Sequence, residues 1–296
     1  MKAQALSGVA VVDKPRGVTS HTVVAQARRL FGRKDIGHAG TLDPMATGVL
    51  LVLVGQACKL SGYLTADSKR YAAEVYFGRA TDSLDADGNV TLESPLVPGQ
   101  LTLDAVTRAL AEEQARREQT PPAVSAIKVA GERAYALARK GNAPELPARP
   151  VQVLELGLLE LAPPRLRCEL LVSKGYYVRS LARDLGERLG VPAHLSALRR
   201  LASGPFGIDQ AVPWPTTTVP PLLGLAAAAC AALPACRLKA EAVLRARQGK
   251  QLMPDDFTEL PAVAGPGAWL TPEGELVALG TTSGELKVVR GFNDEA

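Results

Sequence analysis

Residues 37 to 48 place glycines and other small residues around a single acid, directly before an uninterrupted apolar run. The segment reads GHAGTLDPMATG, and the six residues from Val49 to Val54 follow as VLLVLV. Such a run is too short to cross a membrane and suits a buried strand. Pro44 disfavours a helical backbone at the preceding residue, so Asp43 is expected to be extended. The pattern predicts a loop that holds Asp43 at the edge of a rigid sheet.

The same segment resembles a known family signature. Taken alone, an Asp-Pro turn among glycines is an ordinary turn with a capping acid. The full segment, however, resembles the TruB family of pseudouridine synthases, whose members are similar to one another around GH(T/A)G, a small residue, Leu-Asp-Pro and ATG. The resemblance continues in the family's order through DKPRGVTSH (13–21), KRYAAEVYFGRATDSLDADG (69–88), QTPPAVSAIKVAGERAYALARKG (119–141), SKGYYVRSLARDLG (173–186), HLSALRR (194–200) and SGPF (203–206).

The resemblance implies an α+β fold. It would be a pseudouridine-synthase catalytic domain, built on a mixed, largely antiparallel sheet with flanking helices, followed by a small C-terminal PUA-like β domain. The catalytic domain is expected at residues 1–212, with an RNA-gripping insertion at about 119–150. Residues 213–236, rich in Pro, Thr and Ala, are expected to form a linker with a short helix. Residues 237–296 are expected to form the PUA-like RNA-binding domain.

Charge is distributed unevenly along the chain. The 296 residues are 47% hydrophobic and carry a net charge of only +4, too little by itself to indicate nucleic acid. From Asp13 to Asp35 there are six basic residues and two acidic ones, and from Arg165 to Arg200 there are eight and three. Between Asp82 and Glu113 seven acids accompany one arginine. Such segregation is typical either of solvated helix faces or of a positive surface that attracts a polyanion.

Several classes of protein are disfavoured by what the sequence lacks. The four cysteines have no metal-ligand spacing, and reduced, buried thiols are expected. The N-terminal residues have no signal-peptide pattern, and no segment reaches membrane-spanning length. We therefore expect a cytoplasmic protein with no membrane partner.

The reaction of the resembled family sets out what a site must supply. The bond from sugar C1′ to base N1 breaks, the uracil rotates, and C1′ bonds to C5, so no atom enters or leaves. No cofactor and no metal are expected, in agreement with the lack of a P-loop or dinucleotide fingerprint. By resemblance Asp43 is the catalytic carboxylate and Arg179, in YVRS, pairs with it. Tyr71, in KRY, lies against the target base and is the candidate for moving the C5 proton.

Three further residues are carried over to the substrate pocket by the same resemblance. His38 is expected to fill the space left by the extruded nucleotide, Tyr177 to lie in the pocket, and Leu198 to pack beside the base. Ordinary structural roles stay open for two residues, as a loop histidine for His38 and as a core tyrosine for Tyr71.

The resemblance also implies a substrate and its contacts. The substrate is uridine 55 in the T stem-loop of tRNA, recognised by loop shape and splayed bases. The candidates for phosphate contacts, each with a solvated surface charge as its alternative, are Lys14, Arg16, Lys128, Arg139 and Lys140. The pattern of blocks resembles the bacterial stand-alone form, so we expect a monomer with no guide RNA and no obligate protein partner.

Two other functions remain open from the sequence. The chain could be a tRNA-binding protein without catalytic activity, in which the blocks serve only as scaffold. It could also be a hydrolase with paired carboxylates, which requires Asp82, Asp85 or Asp87 to lie within about 10 Å of Asp43.

Overall fold

A computed structural model of the protein describes residues 7–65, 68–124, 128–129, 132–133, 144 and 146–293. The chain divides into two compact units. The first consists of Met1–Leu42, Val49–Asp67 and Gly204–Ala296, and the second of Asp43–Gly48 and Ser68–Ser203.

The described residues form both helices and strands. The helices are α1 (Ser20–Phe31), α2 (Ser61–Leu64), α3 (Leu103–Gln114), α4 (Val178–Leu189), α5 (Leu225–Ala232) and α6 (Ala240–Arg247). The strands are β1 (Gly8–Lys14), β2 (Ile36–Ala39), β3 (Thr47–Val54), β4 (Lys69–Phe77), β5 (Arg79–Thr81), β6 (Val90–Glu93), β7 (Glu118–Gln119), β8 (Lys128–Val129), β9 (Glu132–Arg133), β10 (Arg149–Pro150), β11 (Val153–Ala162), β12 (Arg165–Val172), β13 (Ala193–Ser203), β14 (Phe206–Gly207), β15 (Val212–Pro213), β16 (Ala235–Leu238), β17 (Phe257–Glu259), β18 (Pro266–Leu270), β19 (Leu276–Thr281) and β20 (Val288–Gly291).

The second unit is built on an antiparallel sheet with the strand order β11, β12, β4 and β13. Residues of β4 alternate strictly between buried and half-buried, as expected for a strand with one face on a core. Helices α3 and α4 pack on β11 and β13 and against each other. Thr47 and Gly48 add a parallel pairing to Arg199 and Arg200. The predicted mixed, largely antiparallel sheet with flanking helices is confirmed.

The first unit contains a second sheet near the C-terminus, with the strand order β17, β16, β18, β19 and β20. Its core includes Trp269, fully buried against Phe257, with ring centroids 5.1 Å apart. The short apolar helix expected in the Ala-rich stretch is α5. A small β-rich region at the C-terminal end is thus confirmed.

One local prediction was wrong. The turn residues of residues 78 to 100, in TDSLDADGN, SPL and VPGQ, predict a loop, but β5 and β6 form a two-stranded antiparallel pair there. These strands are three and four residues long, and every residue of β6 is exposed. Strands of three and four residues are too short to show an alternation that could distinguish them from the surrounding turn residues.

The state of the cysteines and the length of the helices can be compared with the sequence predictions. All four cysteines are free, but only Cys168 and Cys236 are buried, so the expectation of buried thiols was wrong for Cys58 and Cys230. Burial raises the pKa of the Cys168 thiol to about 12. In the parts of the chain that the structure describes, no helix is long and apolar enough to cross a membrane.

Candidate active site

The site is centred on an ion pair between Asp43 and Arg179, both in the second unit. Arg179 Nε lies 2.9 Å from Asp43 Oδ2, and Nη2 donates to Oδ1 at 3.2 Å. The Arg179 side chain is only 6% exposed, whereas that of Asp43 is 36% exposed. One hydrogen bond and one close ion-pair contact together restrict the orientation of the carboxylate as well as its position. The buried guanidinium therefore aims a carboxylate that a substrate can still reach.

A turn and a strand fix the backbone on the C-terminal side of Asp43. The Ala46 N–H donates to the Asp43 carbonyl at 3.1 Å, which closes a turn over Pro44 and Met45. Gly48 follows with φ +101°, and a Cβ there would lie 2.2 Å from the Arg200 carbonyl oxygen. Only glycine permits so close an approach in this conformation. The predicted loop at a sheet edge is present, and its geometry explains the glycine.

Arg179 stands in the first turn of α4, where the helix dipole disfavours a cation. Its partners offset that cost. In addition to its contacts with Asp43, Arg179 binds two backbone carbonyls: Nη1 donates to that of Ser83 at 2.9 Å and Nη2 to that of Val124 at 3.0 Å. Asp85 Oδ2 lies 3.6 Å from Nε. A buried guanidinium with this many acceptors has little rotational freedom, so it can serve as a rigid support for Asp43.

The segment that supplies Ser83 and Asp85 is itself held tightly. Asp85 Oδ1 accepts from Ser83 Oγ at 2.6 Å and from the Asp87 N–H at 3.1 Å. Leu84 between them has φ +64°, a conformation that side chains other than glycine rarely adopt. Backbone strain of this kind persists where the surroundings over-determine it, often at functional sites.

Comparisons with known proteins identify the family of the chain. A family model described as TruB family pseudouridylate synthase (N terminal domain) matches residues 28–178, and one described as tRNA pseudouridylate synthase B C-terminal domain matches residues 179–216. A "tRNA pseudouridine synthase B" from Mycobacterium sp. (strain KMS) is 41% identical over 278 residues, which cover 92% of this chain and 91% of that protein. The chain belongs to the TruB family.

Other relatives support the assignment to the TruB family. A protein of the same name from Mycolicibacterium paratuberculosis is 50% identical over 208 residues, covering 69% of this chain and 70% of that protein. The solved structure titled "Crystal Structure of a Cbf5-Nop10-Gar1 Complex" matches with a TM-score of 0.73 and 26% identity, covering 98% of this chain and 84% of that one. An H/ACA RNP structure bound to a substrate RNA containing 2′-deoxyuridine, at 24% identity and a TM-score of 0.72, shows the same fold.

The other expected pocket residues of this TruB chain occupy defined positions. Tyr71, on β4, is 9% exposed and is paired in register with Arg200, which also pairs with Gly48. Leu198 is 7% exposed, and its carbonyl accepts from Thr47 Oγ1 at 3.4 Å. Tyr177 precedes the first residue of α4. These three residues therefore share the second unit with Asp43 and Arg179.

His38 belongs to the first unit, on β2. Its ring packs edge-on against that of His21, with centroids 5.4 Å apart. In the same unit Ser20 Oγ accepts from the Leu42 N–H at 2.9 Å and donates to the Leu42 carbonyl at 3.1 Å, which fixes the residue before Asp43. Thr19 and Ser20 both have side chains that can cap the helix predicted by the spacing of Val23, Val24 and Ala27. Thr19 is the cap, since its hydroxyl accepts from the Thr22 N–H, and the Ser20 hydroxyl bonds Leu42 instead.

The candidates for phosphate contacts differ in accessibility. Lys14 is fully buried, and its Nζ donates to the carbonyls of Pro15 and Val18 at 2.9 and 2.7 Å. That burial leaves Lys14 no surface for a phosphate, whereas Arg16 is exposed. The sequence did not distinguish these two residues because burial within the DKPRG turn depends on the tertiary fold. Arg139 and Lys140, and the side chain of Lys128, lie outside the described residues.

Asp85 is the second carboxylate near Asp43 and bears on the alternative of a hydrolase with paired carboxylates. Asp85 and Asp43 approach the same guanidinium nitrogen, well within the separation of about 10 Å that a hydrolase needs. Asp85, however, is 5% exposed and acts as the acceptor for Ser83 and Asp87. It is therefore placed to orient Arg179 rather than to meet a water molecule. Among the described residues, no group of three side chains is arranged to hold a metal ion.

Proposed function

We propose that this TruB protein isomerises uridine 55 in the T loop of tRNA to pseudouridine, with Asp43 as the catalytic carboxylate acting on an extruded nucleotide. One arrangement carries the proposal: a partly exposed carboxylate is held at two points by an almost fully buried guanidinium. The names of relatives at 41% and 50% identity, each a tRNA pseudouridine synthase B, point to the same reaction and to tRNA.

Asp43 serves as the group that reaches the sugar. The reaction breaks the C1′–N1 bond, rotates the uracil within the pocket and forms a C1′–C5 bond, and the C5 proton is finally lost to N1 or to water. A carboxylate is a weak nucleophile unless it is positioned, and positioning is what Arg179 supplies. Extruding the nucleotide costs a few kcal/mol, which must come from contacts between the protein and the tRNA loop.

The remaining pocket residues receive their roles from the family resemblance. Tyr71 covers one face of the uracil and moves the C5 proton, directly or through water. Leu198 packs beside the base, and Tyr177 completes the pocket wall. His38 fills the space that the extruded nucleotide leaves in the loop.

The tRNA contacts and the domain roles follow the same pattern. Arg16 with Lys128, Arg139 and Lys140 contacts phosphates, which sets the register of the tRNA without reading its bases. Residues 119–150 act as the RNA-gripping insertion of a catalytic domain at 1–212. Residues 213–236 form the linker, and 237–296 form a PUA-like RNA-binding domain. The protein acts as a monomer, without guide RNA or a protein partner.

Mapping the product on tRNA tests this function. An unmodified tRNA transcript is incubated with the protein, and pseudouridine is located by carbodiimide modification and primer extension. We expect a single new pseudouridine at position 55, and none in a transcript that carries cytidine there. Pseudouridine at another position would contradict the proposed substrate site. Binding of tRNA with no pseudouridine would favour the binding protein without catalytic activity.

A further inference from the structure

Gln119 uses its whole side-chain amide to hold one residue of the backbone. Its Oε1 accepts from the Tyr177 N–H at 2.8 Å, and its Nε2 donates to the Tyr177 carbonyl at 3.2 Å. Gln119 is only 1% exposed. A side chain this deeply buried cannot touch a tRNA bound at the surface, so any influence on the reaction must pass through Tyr177.

Tyr177 is the residue at which α4 begins. Its carbonyl also accepts the N–H groups of Ser180 and Leu181, at 3.1 and 3.3 Å, and its own side chain makes no capping hydrogen bond. Helix starts leave backbone N–H groups that need partners, and their position depends on the residue before the first turn. Gln119 thus fixes the backbone two residues before Arg179.

The residues that follow Gln119 bind the same helix. The Thr120 carbonyl accepts from Ser180 Oγ at 3.0 Å and from Arg183 Nη2 at 3.3 Å. The Val124 carbonyl accepts from Arg179 Nη2 at 3.0 Å. The segment from Gln119 to Val124 is therefore hydrogen-bonded to both of the first two turns of α4, including the guanidinium that holds Asp43.

Gln119 also lies at the base of the expected RNA-gripping insertion. Strands β7 and β10 pair there, with Arg149 opposite Gln119. The Val151 N–H donates to the Arg117 carbonyl at 2.9 Å and extends the pairing by one residue. The backbone that enters the 119–150 segment is thus joined both to the backbone that leaves it and to the start of α4.

We propose that Gln119 is a positioning residue for the isomerisation, acting through Tyr177 and Arg179 on Asp43. This inference rests on the proposed function. A catalytic group displaced by about 1 Å can lose a hundredfold in rate, so the backbone that carries Arg179 has to be fixed from outside the helix. A positioning role for Gln119 differs from a purely structural one because it predicts a change in kcat without a change in tRNA affinity.

The substitution Gln119→Glu tests the role through pH. The side chain keeps its shape but loses the donor, so the ionised carboxyl opposes the Tyr177 carbonyl. Burial and that carbonyl raise the pKa of the introduced carboxyl, and its protonated form restores one donor and one acceptor. Relative to wild type at the same pH, we expect kcat to be lower by about tenfold or more near pH 8.5 and to recover towards about pH 6. The affinity for tRNA should stay constant throughout.

Charged groups near this position must not produce the same effect. Those on β7, β10, α4 and the segments beside them are Arg116, Arg117, Glu118, Arg149, Tyr176, Tyr177, Arg179, Arg183, Asp184, Glu187 and Arg188. Carboxylates, guanidinium groups and tyrosine hydroxyls of ordinary proteins hold a nearly constant charge between about pH 6 and pH 8.5. A second variant, Gln119→Ala, removes the amide without adding a titrating group and should reduce kcat equally at all pH values.

Gln100, which precedes α3, provides a matched control because its side-chain amide also bonds backbone groups, here at the other end of α4. Its Oε1 accepts from the Val97 N–H at 3.1 Å and its Nε2 donates to the Gly190 carbonyl at 3.2 Å, at the C-terminal end of α4. Gln100→Glu should follow the wild-type pH profile. If Gln119→Glu also followed it, or if both variants lost the same activity, the positioning role would be refuted.

The outcomes also separate this inference from the proposed function. Wild-type protein that forms no pseudouridine refutes the function itself, whereas active wild type with an unaffected Gln119→Glu refutes only the role of Gln119. If the Gln119 variants do not fold, Ser180→Ala provides a second test. It deletes a single oxygen and removes the hydrogen bond from Ser180 to the Thr120 carbonyl, which also connects the 119–124 segment to α4. This variant should have a kcat several-fold lower and an unchanged tRNA affinity. An unchanged kcat would refute the proposal that the 119–124 segment positions α4.

Discussion

At the scale of single residues, the site depends on Arg179 having the shape of an arginine. Its guanidinium meets Asp43 with two nitrogens while reaching the carbonyls of Ser83 and Val124. An ammonium group offers a single charged point and cannot maintain these directions at once. The charge alone is therefore insufficient for the role proposed here.

Arg179→Lys tests this requirement for shape. We expect kcat to fall roughly a hundredfold or more, because Asp43 loses its two-point support while the positive charge remains. Steady-state kinetics on unmodified tRNA measure the effect. Arg108→Lys is the control, since Arg108 forms an exposed pair with Asp104 on α3. Near-normal turnover by Arg179→Lys would show that the arginine has only a structural role.

The sequence predicted part of this residue-scale picture. It predicted Asp43, in a loop before a buried strand, and Arg179 as its partner through the YVRS resemblance. It did not predict that Ser83, Asp85 and Val124 surround the guanidinium. Two of these contacts use backbone carbonyls, which leave no trace in residue identity, and all join segments more than fifty residues apart in the chain.

At the scale of elements, a buried ionic network joins α3 to α4. Glu113 is fully buried and accepts from the Tyr176 hydroxyl at 2.8 Å. Its oxygens also lie 2.7 Å from Arg116 Nε and 2.7 Å from Arg188 Nη1. Arg116 also forms an ion pair with Asp184 on α4, with Nη2 lying 2.8 Å from Oδ2. Removing one member of such a network leaves a buried charge without its partner, which costs about 3–5 kcal/mol.

Tyr176 makes this network sensitive to alkaline pH. Burial, with Glu113 next in importance, raises the pKa of Tyr176 well above its ordinary value of 10.0. The folded protein therefore holds this proton more tightly than the unfolded chain does. The stability that Tyr176 contributes is complete below about pH 10 and is lost as the pH rises above that value.

Tyr176→Phe should remove this dependence. We expect the free energy of unfolding to fall less steeply between about pH 9 and pH 11 than in wild type. Near pH 7 the variant should be less stable by about 1 kcal/mol, because Glu113 keeps both arginines but loses one hydrogen bond. Denaturant titrations across this range provide the measurement. Parallel pH dependence in the two proteins would show that Tyr176 does not couple the network to pH.

The sequence predicted helices α3 and α4 but not the buried ionic network that joins them. Thr102 as a cap and the amphipathic spacing of residues 102 to 117 predict α3, and the glycine turn SKG before the regularly spaced Leu181, Leu185 and Leu189 predicts α4. Nothing in the local pattern indicated that Glu113, near the end of α3, is buried with the Tyr176 hydroxyl against it. Amphipathic spacing identifies which face is buried, but the identity of a buried ion pair depends on which helices meet.

At the scale of the whole molecule, the division into units does not follow the chain. Asp43–Gly48 is grouped with Ser68–Ser203, whereas its neighbours on both sides belong to the first unit. The sequence predicted the loop and its strand as one continuous feature. It could not predict that Thr47 and Gly48 pair with Arg199 and Arg200, because a parallel pairing across 150 residues leaves no local signal.

If the Asp43 carboxylate performs the isomerisation, release of tritium from tRNA labelled at uracil C5 must depend on it. We predict release by the wild-type protein and by the exposed surface variant Asp104→Asn. Asp43→Asn should bind the same tRNA and release no tritium, since its amide cannot serve as the reacting carboxylate. Turnover by Asp43→Asn comparable to wild type would contradict the account.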